Sequence, residues 1–522
     1  MNEKLISCFC LIQYLLFIVS DLASFIHLFR KMGKFCEKIV VIDNLVKPEV
    51  RRWLCVVGGF LTLLSFSVAF SFSNIATYLI SYMRNKSTNG LNNDLTYEDF
   101  IYFTTIKYVV QYTGMPFIGV LCRRMGPRLS VFIGSAILSI GFMATYFSIR
   151  SHYAVAILTL VLHGVGFMFI YGTAIGTAQK WFPHSRKGFM GSMVVSAYGF
   201  GSLIWAPLET AFVNPNDVKP EFDPQCNKTQ EAEYDCNNRY FKDPDLLARV
   251  PLMFVLLGGI FAVLGVMGTV LISEPDEEYL AKLEEEAAVS VTPSQAQDEI
   301  YFEKNLKPTE VLRTGVFYLI WTGFFVIDMA NGLMVNYQKA FGLTFISSDS
   351  YFATVAFVQN IFNGSCRIVW GLLYDRFGFK SCFLAIGIGV TLVTFSLPAL
   401  PMLDDNSIEA KVAFGTAMVL LFSLFPGVYA VMAAGVNEAF GSDYFEANFG
   451  LIFTSGVVNN LLIMMMTQVP VIYDNLGYTG VFLVTGVLGV IGVVITCFLP
   501  QQIRSNNVSI SNSIDCLKTR KS

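Results

Sequence analysis

The stretch Asn360-Ile-Phe-Asn363-Gly-Ser-Cys-Arg367-Ile-Val-Trp-Gly371-Leu-Leu-Tyr-Asp375-Arg376-Phe-Gly378-Phe-Lys380 decides how this chain is read. It sets one arginine, Arg367, inside an apolar run from Tyr351 to Tyr374 that is long enough to cross a bilayer. An intramembrane guanidinium costs roughly 2.5 to 3.5 kcal/mol on insertion scales and is tolerated where it faces a cavity or a partner. Arg367 precedes Asp375 by eight residues, about 12 Å of helix at ~1.5 Å per residue, which is far for a side chain to snorkel to the headgroups. A cavity with a fixed positive charge calls for an anionic solute. The competing reading is an arginine that snorkels or pairs with a neighbouring helix.

Working outward, the whole chain has the same character. Its 522 residues are 54% hydrophobic and 14% charged, with 47 phenylalanines, and many segments reach the ~20 apolar residues that span a bilayer core. This predicts an all-α polytopic membrane protein. Spans are expected at 53–83, 97–121, 129–150, 153–178, 187–212 and 249–273, then at 311–338, 350–374, 380–401, 411–436, 446–470 and 478–499. Six spans, a charged linker and six more divide the chain into an extension 1–48, a six-helix bundle 49–275, a linker 276–309, a second bundle 310–500 and a tail 501–522. Residues 5–29 are apolar but interrupted by Asp21 and His27. They read as an extra N-terminal hydrophobic helix, an interfacial segment or an uncleaved anchor.

Charge and cysteine usage orient the chain. Arg30, Lys31, Lys34, Lys38, Lys47, Arg51 and Arg52 precede the first firm span, and Arg504, Lys518, Arg520 and Lys521 lie in the tail; the positive-inside bias puts both termini in the cytoplasm. The loop 214–248 then lies outside, with Cys226 and Cys236 as a candidate disulfide and Asn227 in a glycosylation sequon. Asn85 opens a second sequon in the first outer loop. Chance sequons and reduced thiols are the alternative. Together these features suggest the plasma membrane, with an organelle membrane as the other destination.

A net charge of −3 and the lack of a basic patch with interleaved aromatics give no reason to expect nucleic acid. No nucleophile–base pair, metal-ligand spacing or nucleotide loop is present in the sequence, so neither an enzyme nor a cofactor or metal is expected.

Two loops repeat. Gly119-Val-Leu-Cys-Arg123-Arg124-Met-Gly126-Pro-Arg128 follows the second span, and Gly371-Leu-Leu-Tyr-Asp375-Arg376-Phe-Gly378-Phe-Lys380 follows the eighth. Two copies in register mark an internal duplication. The glycines are expected to make tight turns and the basic residues to hold helix ends, so the loops are read as gates rather than substrate contacts.

The chain here resembles the major facilitator superfamily over about residues 50–500, which implies a twelve-helix fold of two six-helix bundles and alternating access. Arg123 departs from the pattern, standing where the first loop usually has an aspartate. A narrower resemblance rests on Gly164-Val-Gly166, Lys180-Trp-Phe-Pro183 with Arg186-Lys-Gly188, Tyr198-Gly-Phe-Gly201-Ser and Phe440-Gly441 to Phe453. These are similar to monocarboxylate transporters and oxalate/formate antiporters, implying small carboxylates moved with protons or in exchange.

By that resemblance Arg367 matches the eighth-helix arginine that binds carboxylate, with bidentate geometry available. Asn363, one turn earlier, shares its face, in a slot where the proton-coupled branch has an aspartate. The first-helix lysine of that branch, expected near Ser73 or Asn74, is missing. So is the eleventh-helix lysine of the oxalate branch, expected near Gly456, and no basic residue occurs from Phe445 to Pro470. A monocarboxylate is therefore favoured over oxalate. Lys107 in the second span and Asp328 in the seventh are the ionisable residues left to compensate, Lys107 as a second cation and Asp328 as proton site or counter-ion of Arg367. The alternative pairs them with each other, with Glu98 or Asp99, or with carbonyls. Tyr171, Tyr198 and Tyr429 fall on cavity-lining helices, either as ligand contacts or as packing. His163 reads as a buried neutral histidine.

The resulting expectation is a carrier of small monocarboxylates such as lactate, pyruvate or formate. An oxalate/formate-type exchanger or an amino-acid-type carrier is the transporter alternative, and a non-transporting membrane sensor the alternative of another class.

Overall fold

A computed structural model describes residues 46–86, 95, 99–151, 153–222, 239–289, 305–468 and 470–500. The N-terminal extension up to residue 45, Cys226, Cys236, Asn227, the linker segment 290–304 and the tail from 501 lie outside them. The described chain is helical apart from one short antiparallel pair, β1 (Glu221–Phe222) and β2 (Arg239–Tyr240).

The first bundle is built of α1 (Pro48–Phe66), a 3-10 segment Ser67–Ser71, α2 (Phe72–Lys86), α3 (Phe100–Met125), α4 (Pro127–Ser148), α5 (Tyr153–Lys180), α6 (Lys187–Val213) and α7 (Pro244–Leu271). An acidic connector helix α8 (Glu277–Val289) and a short α9 (Pro308–Val311) lead to the second bundle. That bundle holds α10 (Gly315–Gly342), α11 (Asp349–Ser396), α12 (Ile408–Phe440), α13 (Phe445–Phe453), α14 (Ser455–Gln468) and α15 (Pro470–Cys497).

Ten stretches among the described residues are long and apolar enough to cross a membrane. The longest, Tyr351–Met402, holds two crossings, because α11 changes direction at Gly378 (φ +75°, ψ 174°). The α3 helix, its apolar character diluted by Lys107 and Gln111, completes the twelve. Helix starts follow local chemistry. Asp243 accepts from the Leu246 amide at 2.8 Å ahead of Pro244, and Ser407 accepts from the Ala410 amide at 3.0 Å; both satisfy amides that a helix leaves open.

The two repeated loops lie at one end of the bundles, here called the loop face. Gly126 (φ +83°) and Gly378 (φ +75°) both adopt the left-handed conformation that side chains disfavour. Two residues on, Arg128 Nε donates to the Ile272 carbonyl at 2.8 Å beyond α7, and Lys380 Nζ donates to the carbonyls of Cys497 (2.9 Å) and Leu499 (2.6 Å) after α15. Each cation thus caps the last helix of its own bundle. Gly119 and Gly371 are not turn residues. Both lie inside helices, where a Cβ on Gly119 would come 2.5 Å from the Ala447 amide of α13 and one on Gly371 2.1 Å from Ser192 Oγ of α6. The first glycine of each repeat allows close contact between opposite bundles, a correction to the turn role expected of it.

Candidate functional site

Four helices of the second bundle contribute to a polar cluster that runs from Arg367 through Tyr429 to Asp328. The α11 backbone puts Asn363 one turn before Arg367, whose Nε and Nη2 both donate to Asn363 Oδ1, at 3.2 and 3.0 Å. The side chain is 2% exposed. Its guanidinium carbon lies 5.4 Å from the centroid of the Tyr429 ring on α12, within cation–π range. The Tyr429 hydroxyl turns away from the arginine and donates to Asp328 Oδ1 on α10. Asn331 Nδ2 donates to the Tyr429 hydroxyl at 2.8 Å and to Asp328 Oδ1 at 3.3 Å, and Asn459 Nδ2 of α14 donates to Asp328 Oδ2 at 2.8 Å.

Asp328 is therefore satisfied by neutral donors, and no carboxylate pairs with Arg367 among the described residues. The expectation that Asp328 serves as direct counter-ion of Arg367 is corrected: Tyr429 intervenes. A buried cation without a partner anion carries a desolvation cost that a bound carboxylate would relieve.

The first bundle closes the site with aromatic residues. Tyr171 stacks between Phe167 (4.5 Å) and, across the bundle boundary, Phe449 of α13 (5.7 Å), and Tyr198 lies 6.2 Å from Tyr171. The charge of Arg367 acts on Tyr171, Tyr198 and Tyr429, so the sequence-predicted arginine, asparagine and three tyrosines occupy one neighbourhood.

Lys107 is fully buried on α3, and its Nζ has no hydrogen-bond partner. The ammonium lies 3.6 Å from the Tyr108 ring centroid and 5.0 Å from that of Phe72. Pairing of Lys107 with Asp328 is not found. His163 sits nearby on α5, its Nε2 2.9 Å from the Phe66 carbonyl and its Nδ1 without a partner; a carbonyl accepts only, so Nε2 carries the proton.

The gating loops differ in polarity. Asp375 Oδ1 and Oδ2 accept from the amides of Gly188 and Phe189, both at 2.8 Å, at the N-terminus of α6 in the opposite bundle. Arg123, its counterpart in the first repeat, donates to Asp443 just before α13 at 3.4 Å and lies over the Tyr444 ring at 3.7 Å. The acid and the base have exchanged places across this contact. Arg124 and Arg376 are exposed. Lys187 Nζ to Asn437 Oδ1 (3.4 Å) and Asn437 Nδ2 to Gln179 Oε1 (3.2 Å) add further bonds between bundles. Together these contacts close the loop face.

Sequence reading missed three polar residues that the fold brings into play, Asn331, Asn459 and Glu209. Each is a polar residue within an apolar span, the same signal that marked Arg367. Asn85 is exposed near the end of α2.

Two six-helix bundles that meet around a buried, unpaired guanidinium define a membrane transporter. The chain belongs to the Major Facilitator Superfamily, whose family model matches residues 61–463. Among proteins it is similar to, apicoplast pyruvate carrier 1 of Toxoplasma gondii is 23% identical over 469 residues, covering 80% of this chain and 84% of that protein. The oxalate:formate antiporter of Oxalobacter formigenes is 24% identical over 398 residues, covering 76% and 81%. Among solved structures, the proton:xylose symporter XylE bound to 6-bromo-6-deoxy-D-glucose matches with a TM-score of 0.65 at 12% identity, covering 88% of this chain and 99% of that one. At that identity the likeness is one of fold.

Proposed function

We propose that this protein carries small monocarboxylates by alternating access, with Arg367 as the carboxylate anchor. The observation that carries this reading is a guanidinium 2% exposed that is held by neutral groups, Asn363 Oδ1 and the Tyr171 hydroxyl, with no carboxylate paired to it among the described residues. A bidentate acid supplies the missing anion. Tyr171, Tyr198 and Tyr429 shape the space for a short organic acid, and the pyruvate carrier and oxalate:formate antiporter among its relatives support the same class. Asp328, held by three neutral donors, is the proposed proton site. The loop face is proposed to be cytoplasmic, with bundles at 49–275 and 310–500, and Gly119, Arg123, Gly371 and Asp375 in its gate.

An anion exchanger is the second reading, and one observation favours it: Lys107 Nζ is a second buried basic nitrogen, without a hydrogen-bond partner among the described residues.

Uptake of labelled lactate, pyruvate, formate and oxalate into proteoliposomes, with and without an inward proton gradient, tests both. Accumulation of a monocarboxylate under the gradient supports the first reading. Oxalate flux that depends on a trans acid supports the second, and no flux of any of the four removes both.

A further inference from the structure

Glu209 lies one turn before the end of α6, on the face opposite the loops, and is 1% exposed. Its carboxyl reaches across to the break in the first transmembrane element, where α1 gives way to the 3-10 segment Ser67–Ser71. Oε2 accepts from Asn74 Nδ2 at 2.8 Å. Oε1 lies 2.5 Å from Ser71 Oγ, and that same hydroxyl lies 3.0 Å from the Val68 carbonyl.

These two contacts count protons. A serine has one hydroxyl proton, and a backbone carbonyl only accepts. Ser71 Oγ reaches both acceptors, so its one proton serves the Val68 carbonyl when the carboxyl carries its own proton and serves the carboxylate when it does not. The surroundings favour the neutral acid. The groups acting on Glu209 are Ser71 and Asn74, both neutral, with no ion pair among the described residues. The titratable group facing it from α2 is Tyr78, whose hydroxyl lies 3.5 Å from Thr210 Oγ1, with Asp217 of the following loop acting on that tyrosine. A buried, unpaired carboxylate is costly, so such a group is carried as the neutral acid until water reaches it.

We propose that Glu209 is a proton-carrying residue of this transporter, separate from the Arg367–Tyr429–Asp328 cluster. The acid holds its proton against Ser71 and gives it to water entering from the face opposite the loops. The carboxylate left behind then draws the Ser71 proton from the Val68 carbonyl. Loss of that bond frees a carbonyl of the 3-10 segment, which links the charge on α6 to the geometry of α1. Trp205 Nε1, one turn earlier on α6, already binds the same break through the Leu64 carbonyl and Ser67 Oγ, both at 2.9 Å. The consequence for transport rests on the function proposed above; the protonation does not.

Infrared difference spectra of the full chain in lipid nanodiscs between acid and alkaline pH test the protonation directly. A carboxylic C=O stretch that titrates in the wild type is expected to vanish in Glu209→Gln, to persist in Asp328→Asn and to shift in Ser71→Ala. A Glu209→Gln or Ser71→Ala spectrum superimposable on the wild type overturns the proposal. In proteoliposomes Glu209→Gln is expected to retain exchange at equal pH while its gradient-driven accumulation falls to the level measured without a gradient. Wild-type accumulation in that variant overturns the coupling role. Where no acid is transported by any variant, the infrared result still decides the proton site, and only the transport reading falls.

Discussion

Tyr429 stands between Arg367 and Asp328, its ring 5.4 Å from the guanidinium and its hydroxyl bonded to the carboxylate. The two groups are thereby linked without being paired, and in the proposed function the arginine takes an outside anion and the acid a proton. Tyr429→Phe keeps the ring and deletes the hydroxyl, leaving Asp328 with its two amide donors. Lost hydrogen bonds between membrane helices cost about 0.6 kcal/mol on average, with a maximum near 1.7. The variant is expected to fold with a small loss of thermal stability while its gradient-driven uptake changes more than its equal-pH exchange. Parallel flux assays in the two modes check this, and equal losses in both contradict it.

Lys107 makes a contrasting case. Its buried Nζ has no hydrogen-bond partner among the described residues and lies against the Tyr108 and Phe72 rings, and burying a lone ionisable group without a polar partner is costly. Lys107→Met is therefore expected to unfold at the same temperature as the wild type or higher, while uptake of an acid that uses the second cation falls by about tenfold or more, the equivalent of ~1.4 kcal/mol. A thermal melt and an uptake rate on the same preparation separate the two effects. A destabilised variant would show that the lysine is structural.

The loop-face contacts are predicted to be unequal. Asp375 caps two amides of the opposite bundle at 2.8 Å, and losing such a cap costs about 0.5–2 kcal/mol. The Arg123–Asp443 pair is exposed at 39% and 51% and is worth about 0–1 kcal/mol. Spin labels on the exposed Arg124 and Arg376 are expected to report a wider loop face in Asp375→Ala and a nearly unchanged one in Arg123→Ala. The reverse order contradicts this ranking.

Gly119 and Gly371 are predicted to be closure residues. A Cβ at Gly119 meets the Ala447 amide at 2.5 Å, where backbone rather than a side chain must shift. Gly119→Val is expected to hold the loop face open, seen as faster labelling of a cysteine placed at the buried Ser192, which faces Gly371 across the bundle contact, than in the same cysteine variant with Gly119 intact. Unchanged labelling contradicts it.

Much of this was legible in the chain because membrane spans are written in local composition. Each apolar run within the described residues fell on a helix, and Asn363 and Arg367, one turn apart, share a face as their spacing predicts and are bonded there. The repeat was legible too, since Gly126 and Gly378 carry their conformation in their identity. What could not be read was long-range. Asp328 and Tyr429 are 101 residues apart and Ser71 and Glu209 are 138 apart, so each looked like an isolated polar residue. The work of Gly119 and Gly371 was misjudged for the same reason: their partners belong to the other bundle.

The central claim is that Arg367 reads a carboxylate. Equal-pH exchange of labelled pyruvate in proteoliposomes holding wild type, Arg367→Lys or Arg367→Ala, challenged with unlabelled pyruvate or its uncharged amide, tests it most directly. The account predicts exchange in the wild type that pyruvate competes and the amide does not, sharply reduced flux in Arg367→Lys because the fork is lost, and none in Arg367→Ala. Exchange that survives in Arg367→Ala, or that the amide inhibits as well as the acid does, would contradict it.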